Sequence, residues 1–289
     1  MAITASMVKE LRERTGLGMM ECKKALEETD GNMDLAIEEL RKKSALKAAK
    51  KAGRTTADGL LAVRVADDGK RAALVEVNIE TDFAAKNEKF IAFVGDVLAE
   101  VFSTRVTDVS ALLGGALGAQ RELLVQEIGE NISVRRAACF ESSDGVIGTY
   151  LHGDNRKGAL VELSAGDAGL GRDVAMHVTA ISPMVVRGQD VPADVLDKER
   201  EIYTAQAAES GKPADIVAKM VEGRVRKYLA EVSLLDQPFV KDPNVTVAKL
   251  LSGANATCLR FVRFEVGEGI EVEKADFAAE VAAQVQASR

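Results

Sequence analysis

One segment of this chain is written twice, and that repetition limits the fold more than any other feature. DGLLAVRVADDGKRAALVEV, starting at Asp58, aligns without a gap on DGVIGTYLHGDNRKGALVEL, starting at Asp144. Asp-Gly opens both copies, Asp68 falls on Asp154, and Ala73-Leu74-Val75-Glu76 falls on Ala159-Leu160-Val161-Glu162. In the first copy Leu61, Val63 and Val65 alternate with Arg64 and Ala66, and Asp67-Asp68-Gly69-Lys70 is turn chemistry. Val75, Val77 and Ile79 alternate on the return, which predicts a β-hairpin. A helical pattern follows each hairpin, over 88–102 and over 171–181. Two copies of one plan predict a duplicated α+β core of two subdomains.

The flanking segments read as helical modules. Residues 1–54 predict three short helices. Ser6 is the expected N-cap of the first, with Ile3, Met7, Val8 and Leu11 at helical spacing. Thr15-Gly16-Leu17-Gly18 breaks it; Met19, Cys22, Ala25 and Leu26 mark the second; Asn32 caps a third carrying Met33, Ala36, Ile37 and Leu40. KKSALKAAKKAGR, 42–54, is basic and alanine-rich. It reads either as a solvated helical connector or as a stripe contacting RNA or a partner. Between the hairpins, 114–136 predicts a helix and the start of a strand. Val195, Leu196, Ile202 and Tyr203 share a face, Ser210-Gly211-Lys212-Pro213 is a tight break, and Ile216, Met220, Val221, Val225 and Tyr228 follow. That predicts an inserted helical hairpin over 190–229, with Pro213 in the first turn of its second helix. Cys258 to Val266 returns to strand, and 275–286 predicts a terminal amphipathic helix. The expected modules are 1–54, 55–140, 141–189 with 230–266, 190–229 and 267–289. A length of 289 residues suits several such modules better than one core.

Composition narrows the function. Lys plus Arg is 38 against 45 Asp plus Glu, a net charge of −7, so nucleic-acid binding by the whole chain is disfavoured. Residues 1–54 alone hold twelve basic against nine acidic residues, so the charge is asymmetric. Aromatics are 4% with no Trp, which leaves few stacking platforms. Cys22, Cys139 and Cys258 are scattered and odd in number, as expected of reduced thiols. Charges run through the N-terminal residues and no run approaches the ~18 apolar residues of a membrane span, so a cytoplasmic protein is expected. No phosphate-binding loop of the G-x-x-x-x-G-K-[ST] kind occurs, and the Gly16-x-Gly18 and Gly267-x-Gly269 pairs read as turns. His152 and His177 have no nearby Cys or His to make a metal site. With no nucleophile–base spacing either, the chain reads as a binding or regulatory protein without a metal, cofactor or catalytic group of its own.

Thr81-Asp82-Phe83 stands where the first repeat's strand gives way to its helix. Two readings are open: a cap with a stapling Phe, or an exposed tip presenting a carboxylate and an aromatic wedge. TASMVKELRERTGLGMMECKKALEE, VEVNIETDFAAKNEKF, SGKPADIVAKMVEGR and FVRFEVGEGIE, in this order along the chain, closely resemble bacterial translation elongation factor Ts. The resemblance implies a ubiquitin-associated-like (UBA-like) three-helix domain, a two-subdomain core, a protruding coiled-coil hairpin and a C-terminal helical module. It implies guanine nucleotide exchange on elongation factor Tu, with GDP and Mg²⁺ held by that partner and no membrane or direct nucleic-acid contact required. Asp82 and Phe83 would then enter the partner near its Mg²⁺ site, with Thr81 and Ala84 completing the motif. The family usually has Val where this chain has Ala84. Arg12, Met19 and Met20 match docking positions, although the two Met side chains could equally fill a core. Ile128 and His152 match partner contacts on the core. The assembly could be a homodimer or a heterotetramer with the partner. The alternative is an RNA- or ribosome-associated protein using the 42–54 stripe, without exchange activity.

Overall fold

The computed structural model describes residues 3–209 and 213–271; the expected helix over 275–286 lies outside the described residues. Three helices come first: α1 (Ala5–Thr15), α2 (Met19–Glu28) and α3 (Met33–Lys51). They close over Leu11, Leu17, Cys22, Ala25, Leu26, Ala36 and Leu40. Asn32 caps α3 as expected, its Oδ1 accepting the Leu35 N–H at 3.1 Å. Ser6 does not cap α1. Thr4 does, because its extended backbone (ψ 154°) aims the hydroxyl at the Met7 N–H, while Ser6 already lies in the first turn.

The basic stretch is helical and largely solvent-facing, as the connector reading expects, but it is not free of the fold. It forms the later turns of α3, whose Ser44 and Ala48 are buried. Small side chains four residues apart leave one helix face flat, and a second helix packs there. That helix is α7 in the series that follows: β1 (Asp58–Val65), β2 (Arg71–Ile79), α4 (Asp82–Ala85), α5 (Glu88–Thr104), α6 (Val109–Leu113), α7 (Ala116–Ile128) and β3 (Ile132–Glu141). Ser44 donates to Gln126 Oε1 of α7 at 2.5 Å. The second half comprises β4 (Val146–Leu151), β5 (Lys157–Leu163) and α8 (Ala168–Ile181). A helical excursion follows, α9 (Ala193–Ala208) and α10 (Ala214–Val232), then β6 (Pro238–Phe239), β7 (Asp242–Thr246), α11 (Val247–Gly253) and β8 (Cys258–Glu265).

The repeats become two antiparallel sheets, ordered β1-β2-β3 and β4-β5-β8. The sheets face each other across Leu61, Leu74, Phe140, Ile147, Leu160 and Phe264. Helices cover the outer faces. Val75, Val77 and Ile79 of β2 meet Phe90, Phe93 and Val97 of α5, while Val161 and Leu163 of β5 meet Val174 and Val178 of α8. The central strands β2 and β5 therefore bury both faces.

An approximate two-fold relates the halves contact by contact. The Gly69 carbonyl in the first hairpin turn accepts the Ile147 N–H at 3.0 Å, and the Asn155 carbonyl in the second accepts the Leu61 N–H at 2.7 Å. These four positions correspond pairwise in the alignment. Glu76 sits opposite Arg136 in register and Glu162 opposite Arg260, with bonds of 2.5 and 2.6 Å. Each Arg also stacks on the other half's ring, Arg136 over Phe264 at 4.2 Å and Arg260 over Phe140 at 4.1 Å.

Helix α8 begins at Ala168, earlier than the expected Gly171, because Asp167 Oδ1 accepts the Leu170 N–H at 2.8 Å. Gly148 and Gly171 let the helix touch β4: a Cβ on Gly148 would lie 2.1 Å from the Gly171 carbonyl oxygen, and one on Gly171 2.8 Å from the Gly148 Cα. In the excursion, Leu196, Tyr203, Val217 and Leu229 close on Ala207, Val221 and Val225. Ile202 and Ile216, expected on the packed face, are exposed. The seam through 196, 203 and 207 is narrow, and Ile202 lies one residue off it. Pro213 is the N-cap residue of α10 rather than part of its first turn.

Candidate functional site

Strand β2 ends at Ile79, and the next residues build a short projecting turn. Thr81 caps α4: its Oγ1 accepts the Ala84 N–H at 3.2 Å. Ala85 is buried and Ala84 half-buried against the α5 core, so one side of the turn is anchored. The other side holds Phe83, 82% exposed. Its ring meets the Lys86 ammonium at 5.5 Å. Lys86 also donates to Asp82 Oδ2 at 2.9 Å, and this hydrogen bond holds the Asp82 carboxyl below its ordinary range. Both open readings of the motif are therefore partly right: Thr81 is a cap, and Phe83 is a tip, not a staple.

The alignment places the N-cap Thr81 on the N-cap Asp167, which puts Gly169 where Phe83 stands. Only the first half of the duplicated core carries the aromatic.

Other residues hold the turn and were not visible in the sequence. In a capping box the third helical residue returns a carboxylate to the N–H of the cap. Here that residue is Ala84, which has none. Glu130, in the loop between α7 and β3, does so instead. Its Oε2 accepts the Thr81 N–H at 3.0 Å and its Oε1 accepts the Thr81 hydroxyl at 2.8 Å. Glu80 reciprocates, its Oε1 accepting the Asn131 N–H at 2.6 Å. Asn131 Nδ2 donates to the Arg54 carbonyl at 3.0 Å, tying in the segment after α3. The available signal was the missing carboxylate at Ala84, which left a cap N–H to be satisfied from elsewhere.

Arg12 and Met19 line one open groove of about 690 Å³ with Gly16, Lys89 and Glu127. Lys89 and Glu127 form an ion pair across it. Met19 is 48% and Met20 75% exposed, so neither fills the three-helix core. Ile128 ends α7, half-buried against the α5 core and directly before the Gly129-Glu130 loop that grips Thr81. The structure thus joins Ile128 to Thr81–Ala84 through that loop, and joins Arg12 to Met19 through the groove. His152 lies in the β4–β5 turn, exposed and 3.1 Å from Asp154 Oδ1, with no hydrogen bond or ion pair to either group among the described residues.

The chain's similarity to known proteins fits this arrangement. The family model described as elongation factor Ts matches residues 80–268, more than half of the chain and including the exposed turn. An elongation factor Ts of Saccharophagus degradans is 60% identical over 289 residues, covering all of both chains. That of Hahella chejuensis is 59% identical over 285 residues and 99% of each chain, and that of Methylococcus capsulatus 55% identical over 294 residues and all of both chains. This chain belongs to the elongation factor Ts family.

Among the described residues no three His, Cys, Asp or Glu side chains gather as a metal site, and no helix is long and apolar enough to cross a membrane. Burial pushes the Cys258 thiol up to about 12, which keeps it protonated and a poor nucleophile. Four of the five lysines of the stripe have partners within the chain. Lys43 pairs with Glu28, Lys47 with Glu21 at 2.6 Å, Lys42 with Glu38 at 2.9 Å, and Lys51 donates to the Gly129 carbonyl. The basic run of α3 thus braces helices through most of its lysines.

Proposed function

We infer that this chain is the guanine nucleotide exchange factor of elongation factor Tu, and that Thr81–Ala84 is the element that disturbs the partner's nucleotide site. The observation that carries the reading is Phe83: a fully presented ring on a turn whose base is clamped. The ring returns nothing to this chain's own core, and the clamp at the base of the turn holds it out in one place. It is suited to enter an apolar gap of another protein, with Asp82 beside it near the metal. In the partner, Mg²⁺ and backbone N–H groups hold the GDP phosphates. An exchange factor binds the nucleotide-free partner more tightly than the GDP-bound one, and by linkage weakens GDP by the same factor.

Arg12, Met19 and Met20 supply a docking face on the UBA-like three-helix unit. Met side chains suit that role because they adapt to the surface they meet. Ile128 and His152 contribute from the core, and α9 with α10 form the coiled coil of the family. Ala84 in place of Val makes a smaller contact and leaves wedge and carboxylate intact.

The test is stopped-flow release of fluorescent GDP from elongation factor Tu. Catalytic amounts of the wild-type protein accelerate release, and Phe83→Ala lowers the acceleration by at least about tenfold, the loss typical of a central aromatic anchor. Unchanged release with wild-type protein overturns the function; full activity of Phe83→Ala overturns the role of the wedge.

A further inference from the structure

We propose that Glu130 is the positioning residue of the exchange reaction: its carboxylate sets the direction in which Phe83 and Asp82 are presented. The proposal rests on the wedge reading above. Helix α4 is a single turn of four residues, too short to hold its own conformation by helix cooperativity. Phe83 itself is 82% exposed, so its direction is not set by packing. Ala84 and Ala85 anchor the far side of the turn on the α5 core; its entry is held by the cap, and the cap depends on Glu130.

The two carboxylate oxygens take the two donors of Thr81, N–H at 3.0 Å and Oγ1–H at 2.8 Å. Charge-assisted bonds of this kind are roughly twice as strong as neutral ones. The second bond also settles the hydroxyl rotor. With its proton committed to Glu130, Oγ1 turns a lone pair to the Ala84 N–H and is polarised as an acceptor. One side chain therefore fixes the backbone entering the turn and the hydrogen bond that closes it.

Glu130 is itself well held. It follows Gly129, whose φ of 89° ends α7 and turns the chain back, and Asn131 beside it is locked to Glu80 and Arg54. Ile128 lies on the same loop shoulder. Glu130 is half-buried in a surface loop and outside the hydrophobic clusters, so its loss alters the aim of the turn more than the stability of the fold.

The experiment measures exchange as a function of factor concentration for five proteins: wild type, Glu130→Ala, Glu130→Gln, Phe83→Ala and the double variant Phe83→Ala/Glu130→Ala. A misdirected wedge lowers the saturating rate of GDP release. Loss of docking would instead raise the half-saturating concentration. Glu130→Ala is expected to lower the saturating rate by about tenfold, with the half-saturating concentration changed less than about twofold. Glu130→Gln keeps one acceptor and recovers part of the rate. In the Phe83→Ala background, Glu130→Ala costs less than about twofold more, because the ring is gone and only Asp82 is left to aim. Wild-type exchange by Glu130→Ala, or losses that multiply in the double variant, overturns the positioning role while the wedge stands. Full activity of Phe83→Ala alone overturns the wedge and the positioning role together. Circular dichroism melts accompany each variant, and a loss of exchange that merely follows a fall in Tm also overturns the proposal.

Discussion

Glu76 shows how one residue can mislead a reader of sequence. In Val75-Glu76-Val77 the period of two assigns the valines to a core and the carboxylate to water. In the structure Glu76 is fully buried, bonded to Arg135 at 3.0 Å, Arg136 at 2.5 Å and the Gly267 N–H at 3.0 Å. Among the described residues its repeat partner Glu162 is held by Arg260, whose side chain is half exposed. Removing one member of a buried ion pair strands the others, at a cost of about 3 kcal/mol or more. Partial solvent access of Arg135 and Arg136 keeps the expected loss for Glu76→Ala near about 3 kcal/mol, and the loss for Glu162→Ala near about 1 kcal/mol. Urea unfolding of the two variants measures the difference; equal losses would contradict it. The duplication placed both glutamates at one position of the repeat. Their burial comes from the opposing sheet, which no local pattern contains.

At the scale of elements, α8 is tied to the segment after the helical excursion through His177. Nδ1 accepts the Val240 N–H at 3.2 Å, which leaves Nε2 as the donor toward Gln237 Oε1 at 2.9 Å. Gln237 then donates to the Glu231 carbonyl near the end of α10 at 2.6 Å. Burial pushes the imidazole below its ordinary 6.5. The unfolded chain therefore takes up a proton that the folded chain refuses. The stability this site contributes is complete above 6.5 and is lost as pH falls below it, toward the depressed folded value. The Tm is expected to fall between about pH 7 and about pH 5.5, and His177→Gln to flatten that slope while lowering the Tm at neutral pH. A slope unchanged by the substitution would count against the account. Asp82 and Asp154, held below their ordinary 3.8, titrate outside this window. Spacing identified the helix that carries His177, but not what faces it, since Gln237 and Val240 arrive only after α9 and α10.

For the whole molecule, the two sheets form a single inner layer. Leu74 and Leu160 are fully buried there, at matching positions of the two repeats. Neither half can keep this layer dry without the other. Leu160→Ala is expected to destabilise the chain by about 3 kcal/mol, within the range for large-to-small changes in a core. The core should lose structure in one step, so that probes placed in β2 and in β5 report the same midpoint. Separate midpoints would show two independent subdomains.

By itself the sequence determined the hairpins, their repetition, the three N-terminal helices and the place of the candidate motif where strand gives way to helix. Each of these rests on neighbours within a few turns of chain: alternation, caps, breaks and turn residues act over distances that a local pattern records. Only the tertiary structure decided which faces are inside. It made β2 and β5 two-faced core strands, turned the basic stripe into a helix braced on α7, left Ile202 and Ile216 in solvent, and brought Glu130 to Thr81. Those outcomes depend on contacts between segments far apart in the chain. Burial, charge pairing and the aim of a four-residue turn are set by whatever surface finally packs against them.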